Sequence, residues 1–195
     1  MTEKCVNSIA EIRIQHGRRD SMGKVILYTG GIMEPKAIRA IERIEDTDRA
    51  EYLSVEEMRT EAMRYIIFLE CSGHGEWHIH RYYDPVINDI DVPYCRYYIF
   101  DGISDYVRRF ISTDNYRMTA SFYIDQIMES LGQFLDKVRD SGTNMIILSD
   151  DARDIRLEKG RANLIQSVVF EVNRQIARMA DEVIMFEGAQ ALKMK

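Results

Sequence analysis

The sequence predicts an α/β fold in which a mostly parallel sheet carries helices on both faces. Short apolar runs alternate along the chain with longer stretches of helical periodicity, the order expected of strand-helix-strand units. Several of those runs are continuously apolar, which suits strands covered from both sides. The first of them, Val25-Ile26-Leu27-Tyr28, leads directly into a glycine-containing turn and a helix that starts near a proline.

Residues 1–22 are polar, carry Arg18-Arg19, and read as an N-terminal extension to one domain spanning 23–195. A strand is expected at 24–29. The helix after it begins near Pro35, because Pro suits the first helical turn and Ile38, Ile41 and Ile44 recur at helical spacing. Ser54 and Glu57 form an S-x-x-E capping box ahead of Met58, Ala62 and Met63, which predicts a helix from about Val55 to Arg64. The stretch Tyr65 to Glu70 either continues that helix or becomes a strand. Gly73 and Gly75 break the pattern, and Trp77, Ile79 and Arg81 then alternate with His78, His80 and Tyr82 as in a strand. Pro85 and Pro93 bracket a loop.

Arg96-Tyr97-Tyr98-Ile99-Phe100-Asp101 reads as a strand ending on a carboxylate, followed by a helix through Val107 and Phe110. A longer helix is expected over 119–140, with Tyr123, Ile127, Leu131, Phe134, Leu135 and Val138 on one face and Gly142 as the stop. Met145 to Leu148 is a short buried strand. A loop through Asp150 to Asp154 leads to a helix over 161–180 that turns Ile165, Val168, Val169, Val172 and Ile176 to the core. Val183 to Phe186 closes the series, and Leu192 to Met194 adds an edge strand. Thr29, Asp101 and Ser149 to Asp151 then all fall at strand C-terminal ends, where sheets of this kind bind ligands.

The turn Thr29-Gly30-Gly31-Ile32-Met33-Glu34-Pro35-Lys36-Ala37 has the frame of a phosphate-binding loop, G-x-x-x-x-G-K-[ST]. Gly30, Gly31 and Lys36 are its candidate nucleotide-contacting residues. Pro35 stands where the second Gly belongs and has no N–H to offer phosphate. Ala37 has no hydroxyl for magnesium, and Glu34 brings a carboxylate to a helix N-terminus, where it competes with phosphate. The other reading of the segment is an inherited strand-turn-helix with a solvent-facing Lys36.

The chain has 195 residues, a formal net charge of -6 and a sequence pI near 5.3, with 46% hydrophobic residues. Acidic balance argues against a general nucleic-acid binder, which needs clustered basic charge. Cys5, Cys71 and Cys95 form no paired spacing, and no signal peptide or membrane-spanning run is readable. The expectation is a cytoplasmic protein without membrane or nucleic-acid partners.

The run Val172-Asn173-Arg174-Gln175-Ile176-Ala177, then Ala180-Asp181-Glu182-Val183-Ile184-Met185-Phe186 and Lys193-Met194-Lys195, resembles the C-terminus of the bacterial adenosylcobinamide kinase/adenosylcobinamide-phosphate guanylyltransferase family. Thr29-Gly30-Gly31 and Lys36 fall in register with that family's T-G-G-x-R-S-G-K-S loop. Tyr98-Ile99-Phe100-Asp101 and Met145 to Ser149 look like two of its later strands, so the resemblance spans 23–195 in motif order. It implies a P-loop NTPase (RecA-like) fold, a place in cobalamin metabolism, ATP or GTP with Mg²⁺ as cofactors, a corrinoid ligand, and a homo-oligomer, specifically a trimer.

The departures from that family are equally specific. Its H-H-R segment with the nucleophilic histidine aligns near Phe68-Leu69-Glu70, which has no histidine. Its glycine-rich G-x-G-I-V-P loop is replaced by Ala152-Arg153-Asp154-Ile155-Arg156-Leu157, and Arg109 stands where the family carries Asn. The expected function is therefore a diverged relative that has lost kinase and guanylyl transfer and keeps a binding or oligomeric role. Two alternatives stay open: an active nucleotide-dependent kinase or nucleotidyltransferase with altered loop chemistry, and a metal or corrinoid sensor built on Cys71 to His80.

Other candidates carry competing readings. Asp101, a strand-terminal carboxylate, is either a catalytic base or magnesium ligand, or the cap of the next helix. Asp150, Asp151 and Asp154 either bind a divalent cation or form a solvated loop and helix cap. His74, His78 and His80 near Cys71 have ligand chemistry suited to zinc or cobalt but match no closed zinc motif, and a substitute nucleophile among them is the third option. Tyr82-Tyr83, Tyr94 and Tyr97-Tyr98 suit either a flat corrinoid or ordinary packing.

Overall fold

The computed structural model describes residues 22–44, 49–55, 60–81, 95–155, 162–188 and 190–195. Their elements run β1 (Val25–Gly30), α1 (Lys36–Arg43), β2 (Ala50–Ser54), α2 (Thr60–Cys71), β3 (Trp77–Arg81), β4 (Tyr97–Asp101), α3 (Ile103–Thr113), α4 (Ala120–Asp140), β5 (Asn144–Asp150), α5 (Ala162–Met179), β6 (Glu182–Glu187) and β7 (Gln190–Lys193). The strands form one sheet in the order β3-β2-β4-β5-β1-β6-β7. All neighbouring pairs from β3 to β6 are parallel, and β7 returns antiparallel along β6.

Alternate residues of a strand point to opposite faces, and here both faces are covered. Val25, Leu27, Tyr98, Phe100, Met145 and Ile147 meet α3, α4 and α5 in one core. Ile26, Tyr28, Tyr52, Ile99, Ile146 and Leu148 meet α1 and α2 in the other. The expected mostly parallel sheet with helices on both faces is what the chain forms.

Helix α4 shows why the pattern was readable. Tyr123, Ile127, Leu131, Phe134, Leu135 and Val138 are its buried residues, as their spacing predicts. Thr119 caps its start by accepting from the Phe122 amide at 3.4 Å, and Gly142, at φ 74°, turns the chain back toward β5. Helix α1 is narrower than its isoleucines suggest: Ala37, Ala40 and Ile41 are buried while Ile38 is only half-buried.

The expected helix from about Val55 to Arg64 is met in part. Residues Ala50 to Ser54 form strand β2, buried throughout, which the sequence reading did not assign, and the described part of α2, Thr60–Cys71, continues through the ambiguous Tyr65–Glu70 stretch. Ser54 ends β2, and Glu57 lies outside the described residues. A glutamate near the start of a short run hid the strand, because its buried carboxylate is balanced by Arg49 and, from another strand, by His80. The extension 1–21, the Pro85–Pro93 loop, Tyr82-Tyr83, Tyr94 and Arg156-Leu157 also lie outside the described residues. Among those described, no helix is long and apolar enough to cross a membrane.

Candidate functional site

Chain order places the site at the C-terminal end of β1. From there α1 leaves on one face toward β2, while α5 crosses the other face from β5 to β6, so β1 sits between strands reached in opposite directions. Strand register sets Gly30 beside Asp150 and, on the other side, Phe186. Gly30 has φ 151°, and a Cβ there would lie 2.6 Å from the Phe186 carbonyl oxygen. Glycine is required by that close approach as well as by the backbone angle.

Lys36 is buried, with 3% of its surface exposed. Its Nζ donates to Asp150 Oδ1 at 2.8 Å, to the Gly30 carbonyl at 3.2 Å and to the Gly31 carbonyl. An ammonium has three protons, so all of its donor capacity is directed at protein oxygens. The solvent-facing reading of Lys36 is overturned. Asp150 is itself held from several elements: Ser104 Oγ of α3 donates to its Oδ2 at 3.2 Å, and Asn173 Nδ2 of α5 donates to its carbonyl at 3.1 Å. Ser149 Oγ in turn donates to Asn173 Oδ1 at 2.6 Å.

The turn itself is folded inward. Glu34 N–H donates to the Gly31 carbonyl at 3.1 Å and Lys36 N–H to the Glu34 carbonyl at 2.8 Å, so these amides close local turns. Glu34 Oε1 accepts from Gly188 N–H in the β6–β7 turn at 2.9 Å, and a Cβ on Gly31 would stand 3.0 Å from Asp154 Oδ2. Pro35 occupies the N-cap of α1 with no side-chain cap bond. Three carboxylates, on Glu34, Asp150 and Asp154, thus border the position where a phosphate cradle would have its amides.

Asp101 ends β4, opposite Leu148 of β5, and its Oδ2 accepts from Tyr52 OH at 2.5 Å. The N-cap position of α3 is taken by Gly102, in left-handed conformation at φ 100°, and not by Asp101. Asp101 therefore keeps its place at the same sheet end as Asp150. Asp151 caps the 3-10 turn Ala152–Asp154 by accepting from Arg153 N–H at 2.9 Å, and the Arg153 guanidinium holds its carboxyl below the usual carboxylate range.

The histidines separate onto different acids. His78 Nε2 lies 3.0 Å from Glu76 Oε1 and His80 Nε2 lies 2.5 Å from Glu51 Oε2. Among the described residues no group of three or more His, Cys, Asp or Glu side chains is arranged to hold a metal ion. Burial pushes the Cys95 thiol up to about 12, whereas Cys71 is exposed. Iodoacetamide is accordingly expected to label Cys71 in the folded protein and Cys95 only after unfolding, as read by peptide mass spectrometry. Labelling of Cys95 at equal rate under native conditions would contradict its burial.

Sequence reading placed Lys36 and Asp150 in separate motifs and gave Ser104, Asn173 and Glu51 no role. Only the pairing of β1 with β5 brings the first two together, across 114 positions of sequence.

No family model matches the chain, and no curated protein matches it. Among the solved structures that share its fold are two ATPases. One is a prototypical ATPase from the type III secretion system of pathogenic bacteria, with a TM-score of 0.55 and 12% identity, covering 85% of this chain and 51% of that one. The other is the assembled ATPase EscN in complex with its central stalk EscO from enteropathogenic E. coli, with a TM-score of 0.54 and 11% identity, covering 85% of this chain and 42% of that one. The fold is of the α/β P-loop NTPase type. This chain spans about half the length of the structures it matches, and at such identity the likeness concerns the fold alone.

Proposed function

We propose that this protein is a P-loop-fold relative of the cobinamide kinase/guanylyltransferases that has given up phosphoryl and nucleotidyl transfer and serves as a corrinoid-binding, homo-oligomeric component of cobalamin metabolism. The observation that carries the loss of transfer is the enclosed Lys36, whose ammonium faces Asp150 and two loop carbonyls. Phosphate would have to displace a carboxylate that Ser104 also holds, and would meet the Glu34 carboxylate nearby. Pro35 and Ala37 remove an amide and a hydroxyl from the same loop. The corrinoid assignment is supported by the resemblance of the C-terminal run, in which Asn173 supports the Asp150 backbone.

A thermal-shift comparison tests this reading. ATP or GTP with Mg²⁺ is expected to leave the melting temperature unchanged, and adenosylcobinamide to raise it through preferential binding to the folded state. Stabilisation by nucleotide, or transfer of γ-phosphate label to adenosylcobinamide, would overturn the reading. Such a result would favour an active transferase in which Asp150 releases Lys36 and Asp101, on the neighbouring strand end, serves as the base or magnesium ligand.

A further inference from the structure

β7 is the outer strand of the sheet: β6 flanks it on one side, and among the described residues no strand flanks it on the other. All four of its residues, Gln190 to Lys193, are exposed. Along an antiparallel ladder, successive residues send their backbone groups to alternate sides. The Met194 N–H donates to the Val183 carbonyl at 2.8 Å, so position 194, and with it 192 and 190, directs its N–H and C=O at β6. The N–H and C=O of Ala191 and Lys193 therefore point out of the sheet.

An open edge is a template for another strand, and proteins commonly blunt it with lysines that stand free. Here the lysines are drawn back. Lys193 Nζ lies 3.5 Å from Glu182 Oε1 on β6, and Lys195 Nζ donates to the Ala180 carbonyl at 2.6 Å. The hairpin is also held at its turn, where Glu34 Oε1 accepts from the Gly188 N–H at 2.9 Å. What the edge offers instead is apolar: Leu192, opposite Met185, and Met194 share one face and are 40% and 60% exposed. A strand pinned at both ends loses little further freedom when it pairs.

We infer that β7 is a self-pairing edge, through which two copies of this chain join antiparallel about a twofold axis at Leu192. The inference rests on the homo-oligomeric part of the proposed function and gives it a surface. In this register Ala191 and Lys193 exchange N–H···O bonds with the second copy's Lys193 and Ala191, and the two Leu192 side chains meet at the axis, where cross-strand contact is closest. Each Lys193 stands across from an alanine methyl and brings Glu182 as its own counter-ion, so the seam is balanced in charge. Sliding one way by two residues would set Lys193 against its own copy, a like-charge pair. Sliding the other way carries Lys193 past Gln190, where the strand begins. An unrelated strand would need an apolar and a small residue at these same positions, which the chain's own edge already supplies. So short a seam falls below about 1,200 Å² of total buried surface, so the dimer is weak and forms as concentration rises. A twofold seam closes at two copies, not at the trimer that the family resemblance implies.

Sedimentation equilibrium of the whole chain, from micromolar to submillimolar concentration, tests this. A monomer–dimer equilibrium is expected, weakened about tenfold or more by Lys193→Pro, which deletes an outward N–H and leaves the ladder with β6 in place. Circular dichroism checks that the variant is folded. Should it fail to fold, Leu192→Cys decides. With Cys5 and Cys71 replaced by Ser, mild oxidation should link two copies through position 192, whereas Ala191→Cys, which faces Lys193 across the seam, should not link them. A chain that stays monomeric throughout overturns the homo-oligomeric reading and the seam together. A dimer that survives Lys193→Pro, a trimer, or the absence of a cross-link at position 192 overturns the seam alone.

Discussion

Lys36→Met is expected to lower unfolding stability by about 3–5 kcal/mol, the range for removing one partner of a buried ion pair. The pair is enclosed, with side-chain exposures of 4% for Lys36 and 15% for Asp150. Its loss strands a carboxylate and two loop carbonyls whose shared donor has gone. The second half of the cycle is more informative: Asp150→Asn in the Lys36→Met background should recover part of the deficit, because no full charge then remains unpaired. Urea unfolding of both single variants and the double variant measures the effect. A lysine held in reserve for an external anion would leave stability unchanged on removal, so a loss for Lys36→Met below about 1 kcal/mol would show that the enclosure contributes little to the fold. This measurement separates an internal strut from a substrate group without knowledge of any substrate.

Phe134→Ala should be comparably severe, with an expected loss of about 3–5 kcal/mol from the cavity left by a large buried ring. Phe134 is fully buried on α4 and packs edge-on against Tyr98 and Phe100 of β4, with ring centroids 5.9 and 6.2 Å apart. Those edge-to-face pairs add to the transfer of the ring from water. Because β4 ends at Asp101, directly before Gly102, slackness under Phe100 reaches the sheet end that carries the candidate site. Phe170, 63% exposed on α5, is the natural control, and Phe170→Ala should stay within about 0.5 kcal/mol of the parent. Equal losses for the two variants in chemical denaturation would refute the burial argument.

The contrast between these two residues shows what a single sequence discloses. Phe134 was visible as a core residue because it recurs with Tyr123, Ile127 and Leu131 at helical spacing, and local period is enough to assign a face. Strand β2 escaped for the opposite reason. Its Glu51 breaks the apolar run, and the groups that make the burial tolerable lie on Arg49 and on another strand. The glycine-lysine loop was likewise visible as a frame, and its missing amide and hydroxyl could be read residue by residue. What replaced the anion could not be read, because Asp150 meets Lys36 only once β5 is inserted beside β1. Asp101 shows an intermediate case: its position at a strand end was legible, but its partner Tyr52 sat on the strand that the sequence concealed.

On the proposed function, the enclosure of Lys36 also sets a direction on evolutionary reversal. Replacing Pro35 with glycine and Ala37 with serine would restore the written motif, yet the ammonium would still face Asp150 and the neighbouring oxygens. A lineage regaining a triphosphate ligand would first have to change β5, a strand that the loop motif does not include. The barrier against reversion is therefore stored outside the segment whose letters record the loss.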